Sequence, residues 1–552
     1  MMQTCALTGK PFEITAEDLV FYEKMGVLPP TLCPEERARR RMAWSNQRNL
    51  YHRTCDGTGK KIISNISSDK PLKVYDVNFW YSDKWDQLGS GRDFDFSRPF
   101  FEQFGELLLQ APIPSLFRSP GFDENSEYTN HAGKNKNCYL IFDSDQCHDV
   151  YYSQSVNACR DISDCFRAGN CELSYQLIDC MKCYGSAFLQ DCDNCSESFF
   201  LKNCIGCQNC FGCINLRNKK YYFFNKPLSK EVYEKTLREL GKEQFSKLSH
   251  IQNHFFDWAK QFPQKFMMGV NNEDVIGNYL SHCKNAEYCF DSRNLWDCKY
   301  IQQGFEDAKN CMDCSEVGDG AELLYECNGV GYGAQNNCFV SNALSKVNNS
   351  TYSFHIPFSS DLFGCVGLHH QQYCILNKRY SKDEYFALKT KIIEHMKKAG
   401  EWGEFFPISL SPFGYNETVA QDYFPMTKEE IMKRGWKGKD EEESAKYEGP
   451  KVQIPSTIGE TQDSICDQIL ECEQCAKNYR IAKPELKFYR KMNLPVPHSC
   501  PKCRHLARMK LRNPRKLYHR NCGNCGTGIE TTYAPERPEK VLCEKCYEQA
   551  LI

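Results

Sequence analysis

The sequence predicts a mixed, β-rich fold: a cysteine-rich β-solenoid in two copies, each closed by a helix, held between two copies of a small ribbon-like α+β domain. Three observations predict it. In the middle of the chain a cysteine returns every twelve residues, at Cys147, Cys159, Cys171, Cys183, Cys195 and Cys207. The two ends of the chain repeat one another at one fixed offset, and so do two segments of the middle. Eight cysteines near the C-terminus stand as four Cys-x-x-Cys pairs.

Residues 1–100 form the first domain. Shifted by 467, residues 1–79 lie on 468–546 without a gap. Cys5, Cys33 and Cys55 fall on Cys472, Cys500 and Cys522. Phe21, Tyr22, Lys24 and Met25 fall on Phe488, Tyr489, Lys491 and Met492, and Leu50 to Arg53 on Leu517 to Arg520. The ligand positions are largely lost. Opposite Cys475, Cys503, Cys525, Cys543 and Cys546 stand Thr8, Glu36, Thr58, Asp76 and Phe79. A degenerate, metal-free copy is expected, with Trp44, Phe79, Trp80 and Tyr81 replacing metal by apolar burial.

Residues 130–250 form the first solenoid copy. Three places after each marker cysteine stand Val150, Ile162, Ser174, Ser186, Ser198 and Cys210. Six places after stand Ser153, Cys165, Leu177, Leu189, Leu201 and Cys213, and nine places after stand Val156, Ala168, Cys180, Cys192, Cys204 and Leu216. Fixed small or apolar columns are what stacked coils require, because each coil buries its inner positions against its neighbours. Runs such as Phe199-Phe200-Leu201 favour strands over helices. The period leaves a 12-residue coil and a 24-residue coil of two units both open.

Residues 251–400 form the second copy, with less regular cysteines at Cys289, Cys298, Cys311, Cys314, Cys327 and Cys338. The copies share an ending 152 residues apart: Cys213 with Cys365, Asn225-Lys226 with Asn377-Lys378, Tyr233 with Tyr385. Ser229 and Ser381 read as N-caps of closing helices near 229–248 and 381–398. Residues 401–465 connect to the last domain. Within 437–471 nine acidic and four basic residues, among them Asp440-Glu441-Glu442-Glu443, read as a solvated linker.

Residues 466–552 carry the pairs Cys472/Cys475, Cys500/Cys503, Cys522/Cys525 and Cys543/Cys546. Tetrahedral zinc takes four sulfurs at about 2.3 Å, and two Cys-x-x-Cys turns supply them. Two structural zinc ions are expected. Spacing alone leaves sequential and cross-braced pairing both open. The first half, with Tyr479, Glu485, Phe488-Tyr489, Pro497 and Cys500-Pro-Lys-Cys503-Arg504, resembles a small family of zinc-ribbon domains. In that family four cysteines form one site, so the resemblance implies sequential pairing. The second half, Cys522-Gly-Asn-Cys525-Gly526 and Cys543-Glu-Lys-Cys546-Tyr547, resembles another ribbon pattern, making the domain a double zinc ribbon. The whole layout resembles an uncharacterised Cys-rich repeat family of candidate-phyla bacteria, which implies no function.

The N-terminus has no basic segment followed by a continuous apolar run, and no stretch of about 18 apolar residues appears. A cytoplasmic protein with reduced thiols follows as the expectation, its 34 cysteines being metal ligands or small buried groups. Residues 476–520 hold 14 Lys or Arg against one acid, Glu485. Such a cluster is the footprint of a phosphate-backbone binder, so Arg504, Arg508, Lys510, Arg512, Arg515, Lys516 and Arg520 are candidate RNA-binding residues. Arg37, Arg39, Arg40, Arg41, Arg48 and Arg53 form the N-terminal counterpart. Phosphate loop, dinucleotide fingerprint, GxSxG and HExxH are all missing, which points away from an enzyme. Three readings stand: an RNA or ribonucleoprotein adaptor, a protein-interaction scaffold, and a metal-storage or iron–sulfur protein using Cys204, Cys207, Cys210 and Cys213.

Overall fold

The computed structural model describes residues 1–304, 307–440, 449–450 and 452–551. The molecule is β-rich, with two stacks of parallel rungs between two small end domains. In the first stack Arg160 pairs in parallel with His148 and with Glu172. Tyr175, Ala187, Phe199, Phe211 and Phe223 follow one another in the same way. Every step is twelve residues, so one rung is one twelve-residue unit.

The backbone shows why twelve residues suffice. From His131 to Phe224 every third residue has a positive φ, between +44° and +66°. Each side of a rung is therefore two extended residues and one left-handed corner, and four sides close the coil. The left-handed region is costly for side chains branched at Cβ. Among the described residues no Val, Ile or Thr occupies such a corner, whereas Asn and Asp recur there.

The residue after each corner points inward. Cys159, Ile162, Cys165 and Ala168 are one such set, and Cys195, Ser198, Leu201 and Cys204 another, all at most 3% exposed. Four inward side chains must share a square of very short sides, so only small or slender ones fit. Cysteine is here a small packing residue, and this accounts for its abundance. Inward serines join the ladder: Ser153 Oγ donates to the Tyr151 carbonyl at 2.8 Å and accepts the Cys165 N–H at 3.0 Å. The thiols of this stack are free and buried. A thiol reagent applied to the native protein should label 138–213 slowly, and rapidly after denaturation. Stoichiometric disulfides in freshly isolated protein would contradict this.

The second stack starts at Gly269–Val270, because 251–400 opens with the end of a helix, Phe245–Ala259. Its irregularity has a simple cause. Gln302, Ser315, Asn328 and Ser341 pair at steps of thirteen, so these rungs carry one extra residue. Long strands turn a corner and pair on two sides; Lys284–Arg293 meets Leu295–Lys299 on one side and Gln302–Gly304 on the other. The pairings thereby close a six-strand parallel barrel, with further strands outside it.

Both stacks end alike. Asn225 exchanges hydrogen bonds with the Ile214 backbone, and Asn377 does so with Val366. Ser229 and Ser381 accept the N–H of Val232 and Glu384 as N-caps. The second closing helix, Lys382–Ala399, matches its expected span. The first stops at Leu240 because Gly241, left-handed at φ +66°, caps it, and a second helix follows.

The end domains keep their offset of 467 in three dimensions. Helix Ala16–Met25 corresponds to Lys483–Met492, hairpin Tyr51–Thr54/Lys61–Ser64 to Tyr518–Asn521/Gly528–Thr531, and Val74–Tyr75 to Val541–Leu542. The first packs Tyr22, Trp44, Phe100 and Phe104 on Tyr325, Tyr352 and Phe354 of the second stack. The last packs Phe488 and Tyr489 on Tyr175 of the first stack. Residues 401–440 are not a free connector, since Tyr415, Val419, Ala420 and Ile431 pack on Met42 and Ala43. The acidic run 441–443 lies outside the described residues. Among the described residues no helix is long and apolar enough to cross a membrane.

Candidate metal centres and the arginine faces

Each Cys-x-x-Cys turn is built by its own backbone. Cys472 N–H donates to Lys477 O and Ala476 N–H returns to Cys472 O, both at 2.9 Å, with Ala476 left-handed. In the second module Gly526 takes that left-handed place, at φ +75°. The later pair of each module lies at or near a helix N-terminus: Cys500 precedes Pro501–Lys510, and Cys543 precedes Glu544–Ala550.

Two groups of four sulfurs result, Cys472, Cys475, Cys500 and Cys503, then Cys522, Cys525, Cys543 and Cys546. Within each group all four sulfurs lie within 4.8 Å of one another. Pairing is thus sequential. A tetrahedron with metal–sulfur bonds of about 2.3 Å has sulfur–sulfur edges of about 3.8 Å. Cys475 and Cys500 sulfurs stand 3.8 Å apart, and Cys525 and Cys543 sulfurs 3.7 Å. The donor set and its size fit a tetrahedral, thiolate-bound metal ion.

Backbone N–H groups prepare the sulfurs for the thiolate state. Cys500 N–H points at Cys472 Sγ at 3.2 Å, and Cys543 N–H at Cys522 Sγ at 3.3 Å. Burial opposes ionisation, but these and neighbouring N–H donors outweigh it and draw Cys472 down to about 7 and Cys522 to about 6. The second group is the more open, with Cys525 exposed. Cys204, Cys207, Cys210 and Cys213 do not converge in this way; they line the tube.

The N-terminal copy keeps the turns and changes their contents. Gly9 and Gly59 N–H groups still return to Cys5 and Cys55 carbonyls at 2.9 Å. Glu36 turns to Arg39 at 2.8 Å, Asp76 caps a short helix, and Phe79 packs on Tyr75. Trp44 and Trp80 are fully buried.

The candidate RNA-binding arginines lie elsewhere than expected. Only Arg504 and Arg508 are on the helix, which ends at Lys510. Arg504 and Arg508 meet Asp164 at 3.0 and 2.7 Å, and Arg504 also meets Glu485 at 3.3 Å. Arg512 bridges Asp179 at 2.7 Å and Asp291 at 2.6 Å, and Arg515 joins Asp291 at 2.6 Å. Arg508 is 2% exposed and Asp164 0%. An exposed basic face of Arg504, Arg508, Arg512 and Arg515 is therefore corrected: the charges face an acidic strip of stack corners inside the molecule. Arg520 reaches the carbonyls of Ala534 and Glu539, whereas Lys510 and Lys516 are exposed.

The N-terminal copy docks in the same manner on the second stack. Arg37 and Arg41 meet Asp313 at 2.9 and 3.3 Å, and Arg40 meets Glu326 at 2.9 Å. Sequence reasoning missed these acids. The signal was present in the duplication, which keeps Arg37 with Arg504 and Arg41 with Arg508 while discarding metal ligands. Charge repeated where the site is not repeated belongs to the docking.

Electrostatically these pairs are committed. Burial alone would lift Asp164, but the guanidiniums of Arg504 and Arg508 hold its carboxyl below the usual range. Asp291 is likewise lowered by Arg167, Arg512 and Arg515 against the effect of burial. Glu485 is pushed up by burial, with Arg504 opposing.

No family model matches the chain, and no curated protein matches it. Among solved structures, a candidate acetyltransferase from Desulfovibrio desulfuricans G20 is similar at 9% identity and a TM-score of 0.10. The match covers 44% of this chain and 66%, just under two thirds, of the other. A likeness that slight carries no argument about fold or activity.

Proposed function

We propose that the protein is a non-enzymatic scaffold of the cytoplasm: a β-solenoid in two copies, of twelve-residue coils in the first and twelve- or thirteen-residue coils in the second, clamped by two end domains of which the C-terminal one is a double zinc ribbon. The inward-facing arginines carry this reading. Arg504, Arg508, Arg512 and Arg515 are matched by acids of the same chain and call for no outside polyanion. The constant twelve-residue register supports the solenoid, and the sulfur tetrahedra support zinc. Two sides of the first stack stay uncovered, with Arg160, Glu172, Tyr184 and Gln208 in register along one of them, and these offer a docking face for protein partners.

Of its seven candidate residues, the RNA-adaptor reading is left with the exposed Lys510 and Lys516. The test is a titration of labelled single-stranded RNA against the whole protein at low and moderate salt. Each neutralised phosphate would contribute a slope of about −0.7 in log affinity against log salt. The expected result is weak binding with a slope of about −1 or shallower. Tight, steeply salt-dependent binding abolished by replacing Lys510 and Lys516 would restore the adaptor.

A further inference from the structure

The tube of the first stack, besides packing its thiols, sets them in register. Cys159, Cys171, Cys183, Cys195 and Cys207 stand one above another, one per rung, and Cys180, Cys192 and Cys204 form a second column beside them. The columns are neighbours. Cys180 and Cys183, Cys192 and Cys195, and Cys204 and Cys207 hold adjacent inward places of the tube. Cys207 is the node, with Cys195 one rung back in its column and Cys204 and Cys210 at the inward places on either side of it. Beyond it Cys213 holds the next inward place.

The spacing of such a column is chemically particular. Neighbouring parallel rungs lie about 4.8 Å apart. A cation held linearly between two thiolates at about 2.3 Å each needs sulfurs about 4.6 Å apart. No three of these sulfurs converge as the C-terminal groups do, so a cation that demands four ligands is poorly served. A soft cation content with two sulfurs is well served, and thiolate selects soft metals such as Cu(I).

We propose that the sulfur columns of the first stack bind soft monovalent cations, of the Cu(I) and Ag(I) class, as two-coordinate thiolate bridges that begin at Cys207. The site lies in the last full rung before the closing hairpin Tyr222–Phe223/Lys226–Pro227. Ile205 and Gln208 are exposed, so the outer side of that rung faces solvent. The thiol hydrogen bonds to be surrendered are long, 3.6 Å from Cys207 to the Ile205 carbonyl and 3.5 Å from Cys204 to that of Lys202. The three thiols around Cys207, Cys195 first among them, also favour its thiolate.

The charge balance makes the filling cooperative. The first cation takes two thiols to one S–M–S bridge and releases two protons, leaving one negative charge in the tube. Each further cation bridges from a sulfur already ionised to the next thiol and releases one proton, adding no charge. Burying that first charge is the costly step, so later cations follow readily.

The test uses the full chain loaded with zinc, under anaerobic conditions, titrated with Ag(I) as a redox-inert probe. Bound silver, released zinc and alkylatable thiols are followed together. Silver should bind beyond any zinc released, saturating silver should shield Cys195, Cys204, Cys207 and Cys210 from alkylation applied on denaturation, and uptake should be sigmoidal. In Cys207→Ser, shown by circular dichroism to be folded, affinity for the first equivalent should fall at least tenfold, while Cys374→Ser in the second stack should leave it unchanged. Silver bound only in proportion to zinc released, or alkylation of the four cysteines unaffected by silver in the unaltered protein, overturns the proposal even if Cys207→Ser does not fold. Neither result bears on the scaffold reading.

Discussion

Replacing Cys500 by Ser should remove one of two bound metal ions and release the C-terminal domain from the first stack. The sulfur of Cys500 closes the first tetrahedron, and the same residue begins the helix that carries Arg504 and Arg508. Metal binding to such modules supplies an apparent 10–16 kcal/mol, about as much as the whole stability of a typical domain. Without the ion the first turn of that helix has no anchor, and two arginines lose the geometry that meets Asp164. Elemental analysis should give one zinc per chain in place of two, and limited proteolysis should cut within 466–552. Two zinc ions in the variant, or zinc bound by a 1–100 fragment, would refute the assignment.

Changing Asp164 to Asn should destabilise the folded protein by about 3–5 kcal/mol, because it leaves the buried guanidinium of Arg508 facing no charge and Arg504 with Glu485 alone. The exposed pair Lys491–Asp161, at 2.8 Å, is the control; Asp161→Asn should cost under about 1 kcal/mol. Denaturant unfolding at neutral pH measures both. The pH dependence follows from the sign of the shift. Asp164 is held below its ordinary value in the fold, so its contribution is complete above about pH 5 and is lost as pH falls through about 4 and below. The stability gap between the unaltered protein and Asp164→Asn should therefore shrink on acidification. A gap that is small at neutral pH, or grows in acid, would show that the ion pairs do not hold the end domain in place.

Local sequence carried a great deal of this. The twelve-residue recurrence of cysteine and the small residues three, six and nine places on are the inward columns of the rungs. They were legible because every coil must repeat the same steric constraint. The four Cys-x-x-Cys pairs named the eight sulfurs of the two groups for a similar reason: a tight turn and its two sulfurs sit within four residues. The end-to-end offset of 467 survives in helices, hairpins and caps alike. The extra residue in the thirteen-residue rungs was visible only as irregularity, since one inserted residue shifts a pattern without naming its cause.

By itself, then, the sequence determined what repeats and which side chains share a column, because these depend on neighbours along the chain or one coil away. Tertiary structure alone decided where each face points. The arginines from 504 to 515 look like a surface for polyanions until Asp164, Asp179 and Asp291, more than two hundred residues away, are seen beneath them. Pairing of the sulfurs was decided there too, by which turns the domain core brings within reach. Charge is read along the chain as a sum, but its role is set by the partner that burial places opposite it, and that partner is fixed only when distant coils and domains close on one another.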